Sequence, residues 1–199
     1  MIKAVIFDFF GVIGASTYQL IAENITITSK QQLDAISDLH KSIDNGFVTQ
    51  EEFLHQYAEI AGLSYDQFLQ IYHNSNNRFS VSNKLLAFIE NIKKQNYKIG
   101  LLSNVNKEAY EEFVKPLVNR TNYFSVVMPS FQTGLVKPST SAFLAMSDKL
   151  SVKPEEAVMV DDLDLNCKAA EAAGLKSILY TNYHQFKGEA AKLGIVEKS

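Results

Sequence analysis

The sequence predicts an α/β fold, a Rossmann-like parallel sheet with an all-helical segment inserted after its first strand, and three observations predict it. A near-continuous apolar run, Ile2 and Ala4 to Phe7, opens the chain, as a strand buried on both faces would. From Gly14 to about Phe79 the apolar residues are spaced as in helices, and no strand-like run occurs. From about Ser80 helical and strand-like stretches alternate, which implies a parallel sheet covered on both faces. The expected division is an α/β core of residues 1–13 and 80–199, with 14–79 as a helical subdomain hinged over the carboxyl edge of the sheet.

Composition narrows the function classes. At 199 residues and 46% hydrophobic content, the chain can bury a full core as one domain with a modest insertion. A formal charge of -3 with scattered basic residues leaves no electrostatic footprint for nucleic acid or an anionic membrane. No stretch approaches the ~20 apolar residues of a membrane span, and no secretory leader is recognisable. One cysteine, Cys167, excludes an intrachain disulfide framework, and a cytoplasmic location is the expectation.

Each element has its own signal. In the helical segment Leu33, Ile36, Leu39, His40 and Ile43 share one face, as do Phe53, Leu54, Tyr57 and Ile60. Thr49 to Glu52 and Ser64 to Gln67 both fit the capping box, while Asn45-Gly46 and Gly62 mark helix breaks. His40, His55 and His73 lack paired metal-ligand spacing and are assigned to packing or surface duty. Beyond residue 80, a helix over Leu85–Ile92 leads to a strand at 97–102. Further strands are expected at 124–128, 157–160 and 177–180, with helices near 108–118, 139–150 and 165–173, the last ended by Gly174.

The chemistry-bearing residues follow strands. Asp8 ends the first strand and Gly11 lets the chain turn away, which places a carboxylate where α/β sheets bind ligands. Ser103-Asn104 ends the second, offering a hydroxyl and an amide to phosphate oxygens. Lys137-Pro138 supplies a compact positive charge in a loop before a helix, with the proline at or near its first position. Asp161-Asp162 ends another apolar strand. Adjacent like charges there require a counter-cation, and a hard divalent ion such as Mg²⁺ fits oxygen ligands.

The order and context of these four pieces resemble the haloacid dehalogenase (HAD) superfamily, most of whose members are Mg²⁺-dependent phosphatases. The resemblance covers essentially the whole chain. It implies Asp8 as nucleophile, Ser103 as phosphate-binding hydroxyl with Asn104 beside it, and Lys137 as the charge-balancing and phosphate-binding lysine. It implies a Mg²⁺ held by Asp8, the backbone carbonyl of Phe10 and Asp162, with Asp161 near the metal's waters or Lys137. The helical segment is similar to the family's first type of cap. The stretch Asp44 to Phe53, Leu101-Leu102-Ser103-Asn104 and the spacing from Asp161-Asp162 to Asn166 look like the bacterial sugar-phosphate phosphatases with small caps. A small phosphorylated substrate such as a sugar phosphate is therefore the expected partner, with neither nucleic acid nor membrane.

One departure stands out. The family's phosphatases carry a second Asp two residues after the nucleophile, which protonates the leaving oxygen and then activates water. Here that position is Phe10. Phenylalanine cannot move a proton, and positioned acid–base groups contribute ~10² to 10⁴-fold. Three readings follow: a phosphatase of reduced or altered activity that uses activated substrates or another acid such as Asp44 of the cap, a catalytically inactive phosphate-ester binding protein, and a haloacid dehalogenase. The superfamily's dehalogenases have an aromatic residue at this position, yet they work without metal and hold their substrate with an arginine. This chain has only Arg78 and Arg120 and keeps its acidic pair, which ranks that reading third.

Overall fold

A computed structural model describes residues 1–198. The chain runs β1 (Ala4–Phe7), α1 (Thr17–Ala22), α2 (Lys30–Asp44), α3 (Gln50–Ala61), α4 (Tyr65–Asn77), α5 (Asn83–Lys94) and β2 (Lys98–Ser103). Next come α6 (Lys107–Ala109), a π turn (Tyr110–Val114), α7 (Lys115–Arg120), β3 (Val126–Pro129), α8 (Ser130–Thr133) and α9 (Thr140–Lys149). A short 3₁₀ turn (Pro154–Glu156), β4 (Ala157–Asp161), α10 (Asp164–Ala172), β5 (Lys176–Leu179) and α11 (Tyr183–Lys192) complete it.

The five strands form one parallel sheet in the order β3-β2-β1-β4-β5, with β1 in the centre. Alternate residues of each strand face opposite sides, so each face needs its own apolar cover. Val5, Phe7, Ile99, Leu101, Val158 and Val160 pack under α5 and α11, against Leu85, Phe88, Ile89, Ile92 and Phe186. Ala4, Ile6, Leu102, Met128 and Met159 pack under α9 and α10, against Phe143, Met146 and Ala170. The expected α/β architecture is present. The strand order reverses at β1, so the carboxyl ends of β1, β2 and β4 open the crevice where such sheets bind ligands.

The four helices between Thr17 and Asn77 gather a hydrophobic cluster of their own, built on Ile21, Ile36, Leu39, Ile43, Phe53, Tyr57 and Phe68. Both expected capping boxes form, at Thr49/Glu52 and Ser64/Gln67, and a third closes at Ser29/Gln32. Gly62 ends α3 in the left-handed region (φ 70°). Leu33 does not join the buried face expected of it; it is exposed and lines a cavity. His40 and His55 stack on Tyr18 and Tyr65, at 3.7 and 4.0 Å between ring centroids. The chain enters and leaves this segment side by side: Gly14 bridges to both Phe10 and Val81. A Cβ on Gly14 would lie 2.5 Å from the Phe79 ring, so only glycine lets the two crossings approach this closely.

Pro138 stands near the start of α9 as expected, just before its N-cap Ser139. One detail differs from expectation. The helix expected near 108–118 spans three segments, and its π turn inserts the residues around Phe113 toward the crevice. Among the described residues, no helix is long and apolar enough to cross a membrane.

Candidate active site

At the carboxyl edge of the sheet, three acids and one base converge. Asp8 follows β1, Asp161 ends β4 and Asp162 comes next. Each can place a carboxylate oxygen within 4.8 Å of the other two. Lys137 reaches in from the loop after α8, its Nζ 2.9 Å from Asp8 Oδ2 and 2.6 Å from Asp161 Oδ2, and it is buried with both. Both oxygens of Asp161 have protein partners: besides Lys137 on Oδ2, Oδ1 accepts from Asn166 Nδ2 at 2.9 Å and from the Leu163 N–H at 3.0 Å. Asp162 lies partly open to the cavity beside Gly11. At Gly11, φ is +82° and an added Cβ would sit 2.2 Å from Asp162 Oδ2. The glycine at this turn therefore makes room for the second acid.

Charge is unbalanced here. Three carboxylates face one ammonium, and burial, followed by the nearby Asp161 and Asp162, raises the Asp8 carboxyl to about 7 despite Lys137. Burial and then Asp161 raise Asp162 as well. Burial alone would lower Lys137, but Asp8 and Asp161 hold it at about 12, so it is a fixed positive charge. An all-oxygen donor set with excess negative charge fits a hard divalent cation such as Mg²⁺.

Ser103 ends β2, next to β1, and its buried Oγ has no hydrogen-bond partner. A buried hydroxyl left unpaired at a ligand-binding edge is matched to a group that arrives from outside. Asn104 is different. Its side-chain Nδ2 donates to the Lys137 carbonyl at 2.8 Å, and its Oδ1 accepts the Lys137 N–H at 2.9 Å. The amide expected to meet phosphate thus also fixes the backbone of the lysine, with one N–H and its oxygen engaged there and its second N–H left over.

Phe10 lies against Phe9, Phe79 and Phe113, with ring centroids 4.9, 6.2 and 6.1 Å away. Phe10 and Phe113 of this group line a cavity of about 830 Å³ between the sheet edge and the helical segment. Asp8, Lys137, Asp162 and Asn166 line the sheet side, while Tyr18, Ile36, His40, Asp44 and Phe53 line the helical side. The two arginines lie elsewhere: Arg78 pairs with Glu23 on the surface, and Arg120 ends α7.

Residues 5–180 match the family described as haloacid dehalogenase-like hydrolase. The chain belongs to this family. The chain is similar to pyrophosphatase PpaX of Bacillus thuringiensis, with 25% identity over 143 residues, 72% of this chain and 60% of the relative. It also has the fold of a HAD-like hydrolase from Porphyromonas gingivalis, with a TM-score of 0.70 and 24% identity, covering 97% of this chain and 98% of that one. A HAD family enzyme from Bacteroides thetaiotaomicron, solved with magnesium and inorganic phosphate, has a TM-score of 0.64 and 21% identity, with 91% and 95% of the chains covered. Of the first curated relatives the chain spans only part, 21% of a mouse bifunctional epoxide hydrolase 2 and 42% of an Aquifex aeolicus phosphoglycolate phosphatase.

Sequence reasoning did not single out Ser130 or Tyr18. The buried Ser130 hydroxyl accepts the Val105 N–H at 2.9 Å and lies 3.1 Å from the carbonyl of Asp44, which ties the end of α2 to the loop after β2. A serine after Pro129 carries no local signal for such a long-range contact.

Proposed function

We propose that this hydrolase is a Mg²⁺-dependent phosphatase, acting on a small phosphate monoester through an aspartyl-phosphate at Asp8, with activity altered by Phe10. The observation that carries the reading is the Lys137 ammonium held between Asp8 and Asp161, on a sheet edge where the neighbouring Ser103 hydroxyl is unpartnered. Residues 1–13 and 80–199 form the catalytic core in this reading, and 14–79 are the cap that encloses and selects the ester.

The side chains divide the work. Asp8 Oδ1 accepts the Phe9 N–H at 2.6 Å, which orients the carboxylate. A carboxylate oxygen of Asp8 attacks phosphorus while the bond from phosphorus to the ester oxygen breaks. Water then attacks the same phosphorus, releasing phosphate and restoring the carboxylate. Ser103 and Lys137 bind the phosphate oxygens, and Asp161, Asn166 and Asn104 keep the lysine in place. Asp8, the Phe10 carbonyl and Asp162 would hold Mg²⁺, with Asp161 toward its waters; bound there, the ion supplies charge neutralisation for the phosphate. Positioning and electrostatic stabilisation are the main terms in phosphoryl transfer, and both survive the loss of an acid at residue 10.

A panel of phosphate esters with and without Mg²⁺ tests this reading, and sugar phosphates, acetyl phosphate and para-nitrophenyl phosphate belong in it. Mg²⁺-dependent hydrolysis, fastest for the activated esters, is expected. Phe10 favours one second reading, a binding protein without turnover. Mg²⁺-dependent affinity for phosphate or vanadate with no hydrolysis of any ester would establish it in place of the first.

A further inference from the structure

The cap places one acid in the cavity whose surroundings are those of a proton carrier. Asp44 is the last residue of α2, and the two ends of the group are held differently. Its carbonyl lies 3.1 Å from the Ser130 hydroxyl, which shares its one proton between this carbonyl and that of Val105, also at 3.1 Å, so the end of α2 meets the sheet side here. Its carboxylate lines the same cavity as Asp8, Lys137 and Asp162, where Oδ1 accepts from the Tyr18 hydroxyl at 3.4 Å. Tyr18 is itself fixed by the face of His40, 3.7 Å away and nearly parallel. Among the described residues no cation forms an ion pair with Asp44: the carboxylate meets the Tyr18 phenol and lines the cavity.

We propose that Asp44 supplies the proton-transfer function that Phe10 lacks, protonating the departing ester oxygen from the cap side. This deepens the phosphatase reading and rests on it. In the first step the P–O bond to the leaving group breaks as the bond to Asp8 forms, and the Asp44 proton passes to the departing oxygen. Asp44 is then a carboxylate, and it takes a proton back from the water that attacks the phosphorylated Asp8. Burial raises the Asp44 carboxyl to about 7, against the opposing hydrogen bond from Tyr18 and the charge of Lys137, which suits a group that must give and regain a proton near neutrality. An ordinary surface aspartate at a helix end would need none of these contacts.

Acid catalysis matters most when the leaving group is poor, so the test is a series of aryl and alkyl phosphates of increasing leaving-group basicity, assayed with Mg²⁺ on wild type and Asp44→Asn. The variant is expected to lose ~10²-fold or more on alkyl phosphates, with little loss on para-nitrophenyl phosphate, and so to show a steeper dependence on the leaving group. Phosphorylation of Asp8 by acetyl phosphate should proceed in Asp44→Asn, and the adduct should decay more slowly. Tyr18→Phe, which leaves the carboxyl but removes its hydrogen bond, should shift alkyl turnover in the same direction by a smaller factor. It also keeps the test open if Asp44→Asn folds poorly. Phosphorylation of Asp8 with an unchanged leaving-group dependence in both variants would overturn the role of Asp44 and leave the phosphatase reading standing. A wild-type protein that neither takes up phosphate at Asp8 nor hydrolyses any ester would remove both.

Discussion

Asn104 grips Lys137 by its backbone at both ends, donating to its carbonyl at 2.8 Å and accepting its N–H at 2.9 Å. Lys137 comes from a loop, and this amide joins that loop to the residue after β2, so the backbone that carries the ammonium is held to the sheet edge.

Asn104→Ala removes both bonds and leaves two partly buried backbone groups to find water. A loss of about 1–3 kcal/mol in unfolding free energy is expected, with weaker binding of vanadate because Lys137 is no longer held. Unchanged vanadate affinity would mean that the ion pairs to Asp8 and Asp161 position the lysine alone.

Asp162 and Gly11 should be coupled. Asp162→Asn keeps the shape and lowers the negative charge, so Mg²⁺ affinity falls while the fold is retained. Gly11→Ala places a methyl group 2.2 Å from Asp162 Oδ2 on a backbone at φ +82°, and it should displace the carboxylate and cost Mg²⁺ affinity without touching a ligand side chain. Calorimetric titration of Mg²⁺ into both variants checks this. Full affinity in Gly11→Ala would show that the metal does not need Asp162 where the structure puts it.

Phe10→Asp returns a carboxyl to the position that lacks one, at the expense of the contacts with Phe9, Phe79 and Phe113. The packing loss should be about 1–3 kcal/mol for this half-buried ring. In the Asp44→Asn background the same change should restore alkyl phosphate turnover toward the ~10² to 10⁴-fold worth of a positioned acid. A folded, Mg²⁺-binding double variant that hydrolyses no ester would show that residue 10 is out of reach of the leaving group.

His40 gives the helical segment a pH dependence. Burial lowers its imidazole from 6.5 to about 4, and its Nε2 has no partner. Between those values the unfolded chain binds the proton and the folded one does not, so this stability is full above about 6.5 and lost as the pH falls toward 4, by up to about 3 kcal/mol. Asp44 acts in the opposite sense, since its raised carboxyl favours the fold at low pH and loses that contribution as the pH rises. The difference in melting temperature between wild type and His40→Phe cancels the Asp44 part. It should move steadily against wild type from pH 6.5 to 4, and a difference flat with pH would contradict the buried neutral imidazole.

Much of the architecture was legible because a parallel sheet writes itself as short apolar runs, each with its polar residue at the carboxyl end. Asp8, Ser103 and Asp161 are all of this kind, and the fold brings their strand ends side by side. Lys137 was legible only through its neighbours in a known motif order, since nothing local distinguishes it from a surface lysine. Contacts across long separations were not readable. Ser130 with Asp44, Tyr18 with Asp44 and Gln50 with Asn106 join segments 86, 26 and 56 residues apart, and each uses a residue type common on any surface. Asn104 has a second duty that the sequence does not show: its amide suits phosphate chemically, but only the folded loop shows that it also holds the Lys137 backbone. The helix over Tyr183–Lys192, whose Phe186 completes one face of the sheet, was not predicted, although Tyr183, Phe186 and Ala190 stand at helical spacing.

The central claim is that Asp8 is a nucleophile, and intact-mass measurement after mixing the protein with acetyl phosphate and Mg²⁺ tests it most directly. The account predicts a species heavier by one phosphoryl group, formed only with Mg²⁺ and absent from Asp8→Asn. No adduct on wild type under conditions where vanadate binds, or an adduct that persists in Asp8→Asn, would contradict it.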